Sequence, residues 1–263
     1  RSEITPRFMR HFSTLCVTQF HDDTLRTIFK SIMQWHMKAN KFEDSISRLG
    51  EPVVSATLDT YRTAMRELRP TPTKSHYTFN LRDFARVIQG VCMCKQHEGF
   101  SSESFIRLWV HETLRVFSDR LIDVTDQEWF FTCLKDLTSV HYNKKLDELF
   151  MHLYKGDQTQ ATVEVSRNLL FGMFQDAKAS VKLYKEIIDF GNLQDTVNQF
   201  LEDYNAESKK PMDLVMFMFA IEHLTRIARV LAMPGGNMLL VGVGGSGRQS
   251  LTRLAAYMLE YGL

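Results

Sequence analysis

Neither sign of charge prevails in this 263-residue chain, where 32 basic side chains meet 31 acidic ones for a formal net charge of +1. That balance leaves no broad single-sign field to gather a phosphate backbone or an anionic bilayer, so neither nucleic acid nor membrane is expected as a partner. Long apolar runs are missing too. No stretch approaches the ~20 residues that cross a bilayer, and the opening Arg1-Ser2 shows neither an initiator methionine nor a signal-peptide pattern. That opening reads as a fragment of a longer polypeptide. Cysteine is sparse: Cys16, Cys92, Cys94 and Cys133 have neither paired-ligand spacing nor the framework of a disulfide-bonded domain, which points to reduced thiols. No internal repeat and no low-complexity tract occurs. What remains is 44% hydrophobic and 24% charged, enough apolar side chain for a sizeable core in one large domain or two small ones.

A zinc site is excluded by one residue. His111-Glu112 begins an H-E-x-x-H pattern, but the position of the second histidine holds Arg115. Glu112, Arg115 and Asp119 instead stand at spacings that build a charge ladder along one helix face.

Apolar periodicity predicts a helical first half. Residues 4–12 read as a polar loop and residues 13–20 alternate as a short strand. Asp22 and Asp23 offer N-caps for a helix with Leu25, Ile28, Phe29, Ile32 and His36 on one stripe. A second helix begins near Pro52, carries Val54, Leu58, Tyr61, Met65 and Leu68 inward, and ends at Pro70-Thr71-Pro72. A third starts at Asn80 with Leu81, Phe84, Ile88 and Val91 inward. Ser101-Ser102-Glu103 caps a fourth over residues 103–121, so apolar around its girth, with Trp109 among its residues, that it belongs at the bundle centre. A fifth follows from Asp126 with Trp129, Phe130, Cys133 and Leu137 inward. Residues 142–165 are mixed and polar, the best boundary. Helices are expected over residues 181–201 and 213–231.

The sharpest chemical signal is NMLLVGVGGSGRQSLTRLAA, residues 237–256. Residues 238–241 are apolar after the breakers Pro234-Gly235-Gly236-Asn237 and read as a buried strand; residues 250–259 suit a helix. Between them lie Gly242, Val243, Gly244, Gly245, Ser246, Gly247, Arg248 and Gln249, with Ser250 opening the helix. Strand, glycine-rich turn and helix N-terminus together cradle phosphate, because backbone N–H groups turn inward and the helix dipole favours an anion. Two patterns fit. Gly242, Gly244 and Gly247 satisfy the dinucleotide fingerprint G-x-G-x-x-G, whose acidic partner about 20 residues on would fall past Leu263. Gly242 and Gly247 also frame a P-loop, with Arg248 at its lysine position, Gln249 at its Ser/Thr position and Ser250 one place late.

The wider stretch GNMLLVGVGGSGRQSLTRLAAYM resembles the nucleotide loop of the fourth AAA+ module in axonemal dynein heavy chains, arginine and glutamine included. TPRFMRHF (residues 5–12), YTFNLRDFARVIQGV (77–91) and RLWVHETLRVFSDRL (107–121) are similar to other segments of the dynein motor ring, in matching order. The resemblance implies a mainly α fold: a helical AAA+ lid bundle flanked by strand pieces of P-loop α/β large domains. Residues 1–21 would be the tail of the third large domain, 22–141 the lid, and 142–263 the start of the fourth module through its P-loop. It places an arginine finger at Arg7, with Arg10 as rival, and the sensor-two arginine at Arg82 on a lid helix. A local salt bridge is the plainer reading of either arginine.

The implied parent is an ATP-driven microtubule motor of the ciliary axoneme and cytoskeleton. Its ligands would be ATP or ADP with Mg²⁺. Its partners would be neighbouring AAA+ modules of the same chain, microtubules and other dynein subunits. The third module's own P-loop and the fourth's acidic Mg²⁺ motif are expected outside these residues. An independent P-loop or dinucleotide enzyme and a helical scaffold with an incidental glycine loop are the alternatives.

Overall fold

A computed structural model describes residues 4–174 and 182–261. Its first element, α1 (Pro6–Met9), is a single exposed turn with Pro6 at its start, where the sequence read as a loop. Residues 13–20 form no strand, and Leu15 and Val17 are about nine-tenths exposed (89% and 90%). The expected strand is absent because a strand exists only against a neighbour, and no described residue supplies one.

The bundle then follows in order: α2 (Asp22–Ala39), α3 (Asp44–Ser47), α4 (Gly50–Glu67), α5 (Leu81–Val91), α6 (Ser102–Val116) and α7 (Val124–Tyr142). Asp22 and Asp23 sit in the first turn of α2 rather than capping it, where their charge meets the helix dipole. The buried stripe of α2 is Leu25, Met33, His36 and Met37, while Ile28 and Ile32 stay on its flank. α2 packs against α4 through a narrow stripe, which leaves that flank uncovered. The start of α5 is fixed by a capping box: Asn80 Oδ1 accepts from the Arg82 N–H at 2.8 Å and Asp83 Oδ2 from the Asn80 N–H at 2.9 Å. The cap of α6 is Ser101, as its sequence predicts. That helix stops at Val116, and a 3₁₀ turn, Ser118–Arg120, completes the expected span.

Two short helices, α8 (Leu146–Leu149) and α9 (Val163–Ser166), lead to an antiparallel hairpin of β1 (Leu170–Gly172) and β2 (Lys185–Ile187). Strand alternation makes β1 a partition between two cores. Phe171 faces the lid core with Leu169 and Tyr184, and Leu170 faces the second core with Ile187. The lid core also takes in Leu146, Leu149, Phe150 and Val165, so the polar stretch after the bundle packs on it.

The second core is built by α10 (Phe190–Glu207), α11 (Met218–Ala232) and α12 (Arg248–Met258). The helix expected over 181–201 begins at Phe190, because residues 185–187 pair with β1; Val181 lies outside the described residues. The helix expected from 213 begins at Met218. Residues before it stay extended because side chains of α10 take their backbone groups: Asn205 pairs with both Met212 N–H (2.7 Å) and C=O (2.9 Å), and Gln194 donates to Met216 O at 2.7 Å. Residues 238–241 form no ladder, with Leu239 and Val241 88% and 85% exposed. The buried strand expected there is therefore not realised among the described residues.

Candidate functional site

α11 carries the chain through residues 233–241 into the glycine-rich loop, and α12 starts straight after it. Gly245 and Gly247 adopt φ of +77° and +74°, the left-handed region that side-chain-bearing residues enter only with strain. Those two turns aim the loop at the N-terminus of α12, which opens at Arg248, two residues earlier than its sequence suggests. Space at Gly242 is tight, since a Cβ there would stand 3.1 Å from Ser246 Oγ and 3.5 Å from Arg248 Cδ. The loop surrounds an open cavity of about 1020 Å³ walled by Leu240, Gly244 through Ser250, Thr252 and Arg253. Glycine N–H groups, a helix N-terminus and Arg253 are the donor types that a phosphate cradle needs.

Arg248 lines that cavity without offering its guanidinium to it. Its guanidinium folds back to donate to Val243 O at 3.0 Å and Leu240 O at 3.4 Å, stapling the loop to the segment before it. Gln249 is exposed, Ser250 half-buried, and the Thr252 hydroxyl is occupied by the Arg248 carbonyl at 2.8 Å. No carboxylate lines the cavity. The residues present fit phosphate and not a hard divalent cation, which needs oxygen ligands of rigid geometry. Gly247→Ala should destabilise the chain by about 1–2 kcal/mol through its left-handed backbone alone. Urea unfolding would measure it, and an unchanged midpoint would mean the loop relaxes freely.

The other arginines singled out by sequence lie elsewhere. Arg7 is exposed on α1 and Arg10 Nε contacts only His11, at 3.2 Å. Arg82 is exposed on the first turn of α5 and forms no ion pair with its neighbour Asp83. Asp83 is taken instead by Arg120 at 2.6 Å. Neither Arg7 nor Arg82 joins the loop cavity.

Behind the loop lies a buried polar seam that sequence reasoning missed. Glu112 of α6 and Arg229 of α11 are 0% and 7% exposed at their side chains and form a forked ion pair, Arg229 Nε lying 2.9 and 3.1 Å from the two carboxylate oxygens. Tyr184 Oη donates to the same carboxylate at 2.7 Å. Burial works against the charge of Arg229, but the Glu112 carboxylate outweighs it and lifts the guanidinium above its ordinary pKa. The α5 backbone passes close because residue 90 is glycine: a Cβ there would fall 1.7 Å from Glu112 Oε2. Of the expected ladder, only Arg115–Asp119 forms, at 3.3 Å. Glu112 leaves it for the interior. Neighbouring His111 donates through Nδ1–H to Leu169 O at 3.0 Å, and burial, then Arg115 and Arg229, hold it well below the usual histidine pKa. Beside it Glu222 binds Arg167 at 2.8 Å and Arg226. The available signal was a charged residue within the all-apolar girth of α6, which only a buried partner explains. Among the described residues no group of His, Cys, Asp and Glu could hold a metal, and no helix is long and apolar enough to cross a membrane.

Comparison with known proteins assigns both halves of this arrangement. A family profile described as "Dynein heavy chain, ATPase lid domain" matches residues 24–127, and one described as "P-loop containing dynein motor region D4" matches residues 212–263. The chain is 45% identical over 262 residues to mouse dynein axonemal heavy chain 12, covering 99% of this chain and 8% of that protein. It is 45% identical over 263 residues to mouse dynein axonemal heavy chain 3, covering 100% of this chain and 6% of that one. Mouse dynein axonemal heavy chain 2 is 39% identical over 99% of this chain and 6% of its own length. The bundle and the phosphate loop thus fall in the two dynein regions that their folds suggest, and the chain belongs to the axonemal dynein heavy chain family, spanning its ATPase lid and the opening of its D4 motor region.

Proposed function

We propose that this chain is a coupling element of an ATP-driven motor ring, joining the lid of the third AAA+ module to the nucleotide loop of the fourth. The observation that carries the reading is the buried Glu112–Arg229 pair, which ties the lid helix α6 to the helix that feeds the phosphate loop. On this reading residues 1–21 belong to the third large domain, 22–141 to the lid and 142–263 to the fourth module. Arg82 serves as the lid's sensor toward the third module's nucleotide, and exposed Arg7 as an arginine finger toward the preceding one. An exposed, unpaired guanidinium is free to neutralise phosphoryl charge brought to it by a neighbouring module. The whole protein would act on microtubules in the ciliary axoneme, with other dynein subunits as partners.

The fourth-module loop binds ATP or ADP through the N–H groups of residues 244–248, while Mg²⁺ would draw its carboxylate from elsewhere in the polypeptide. Titration of the chain with a fluorescent ATP analogue tests this directly. Saturable binding that is weakened by Gly247→Ala is expected; the same titration curve for a chain carrying Gly247→Ala, or no binding at all, removes the nucleotide reading. Phosphate release from ATP by the described chain should stay at background, since no carboxylate is placed to organise metal and attacking water. Turnover that co-purifies with the chain would overturn that expectation.

A further inference from the structure

A second cavity, of about 500 Å³, opens between the lid and the fourth-module helix, apart from the phosphate loop and touching it only through Leu240. Its walls bring together Arg86 of α5, Arg115, Asp119 and Arg120 at the end of α6, and Arg226 and Arg229 of α11. Most of these guanidiniums have carboxylate partners. Arg120 meets Asp83 at 2.6 Å, Arg229 meets Glu112, Arg226 meets Glu222, and Arg115 and Arg226 share Asp119 at 3.3 and 3.6 Å. Glu222 is also claimed by Arg167 at 2.8 Å. The five guanidiniums lining the cavity therefore stand against four carboxylates, an excess of one positive charge, and Glu222 is shared with Arg167 outside it.

The excess is local and unsatisfied. Arg86 is exposed at the rim and has no ion-pair partner among the described residues. Arg115 is 8% exposed at its side chain, yet its Nε–H has no hydrogen-bond partner, and the buried Nε–H of Arg226 has none either. A buried guanidinium donor without an acceptor is unfavourable, and Arg115 and Arg226, with Arg86 at the rim of the same cavity, repel one another. Burial, with Arg226 and Arg229 nearby, accordingly depresses the pKa of Arg115 despite Asp119. What such a cluster lacks is an acceptor with several oxygens, the group that guanidinium forks grip in pairs.

We propose that this cavity is an oxyanion site that takes a phosphate group, bridging Arg86 on the lid to Arg115 and Arg226 at the seam. The site is distinct from the nucleotide loop and does not depend on that loop binding anything. An anion seated there holds α5 and α11 to one another, so the seam tightens when it is filled. The same oxygen chemistry could come from a carboxylate side chain of the polypeptide, which the test separates.

Calorimetric titration of the chain with inorganic phosphate, against chloride at equal ionic strength, provides the test. Saturable phosphate binding and a phosphate-dependent rise in Tm are expected. Arg86→Gln removes an exposed, unpaired side chain and should leave the fold intact while weakening phosphate about tenfold or more, as for one hydrogen bond to a charged group. Its affinity for the fluorescent ATP analogue at the loop should not change. Equal phosphate affinity in wild type and Arg86→Gln overturns the proposal, as does stabilisation by chloride matching that by phosphate. Tighter binding of N-acetyl-aspartate amide than of phosphate, lost in Arg86→Gln, would overturn the phosphate assignment in favour of a protein carboxylate.

Discussion

Arg229→Leu should lower the stability of the chain by about 3–5 kcal/mol, the penalty of leaving a buried charge without its partner. Glu112 is 0% exposed and would keep only the Tyr184 hydroxyl, since the lid backbone at Gly90 closes its other side. One hydroxyl cannot replace a forked guanidinium in a medium of low dielectric. The pair itself adds little net stability, because desolvating two charges offsets most of their attraction. Arg229→Leu combined with Glu112→Leu should therefore recover most of the loss. Urea unfolding of the single and double variants measures both quantities. A single variant as stable as wild type would mean that the pair is not buried in solution, and the seam would lose its central contact.

Trp109→Ala ranks beside it, with an expected loss of about 3–5 kcal/mol. Trp109 is wholly buried at the centre of α6, with its ring 5.2 Å from that of Tyr142 on α7. Its indole N–H donates to Thr57 Oγ1 of α4 at 2.9 Å, and Thr57 in turn donates to Val53 O at 2.6 Å. Truncation opens a void among three helices too tightly packed to collapse into it, and it strips the Thr57 hydroxyl of a donor. Trp109→Phe keeps part of the ring volume and should lose less. A Trp109→Ala chain that melts with wild type would place the bundle centre somewhere else.

The helical bundle was legible because its signals are local. Asn80 with Asp83, Ser101 before α6, and the apolar girth around Trp109 each encode structure within a turn or two of chain. The strands were not legible, for the opposite reason. Residues 13–20 and 238–241 have the right alternation or apolarity, but strand formation is settled by a neighbour that sequence pattern does not supply. The same dependence hid β2, whose Lys185-Glu186-Ile187 carries no strand pattern and exists through pairing with β1. In the site, the glycines of the loop announced themselves through spacing. The spacing alone put Arg248 where a P-loop would carry lysine, but its fold-back onto Val243 and Leu240 was not legible. The seam was the least visible part, since Glu112 and Arg229 are 117 positions apart and pair only after both helices are packed.

On the proposed reading the loop binds nucleotide rather than hydrolysing it. Arg248 keeps a positive charge but directs its planar fork at loop carbonyls, and Gln249 offers an amide where a metal would meet a hydroxyl. On the proposed reading, phosphate contacts from backbone N–H groups would survive both changes, whereas metal placement would not. Single-turnover hydrolysis of ATP by the complete fourth module is the direct measurement, comparing wild type with Arg248→Lys combined with Gln249→Thr. Wild type should bind ATP and cleave it at least about tenfold more slowly than the double variant, the loss that follows from one misplaced charge-stabilising contact. Equal cleavage rates would contradict the account, because the two substitutions would then leave catalysis untouched.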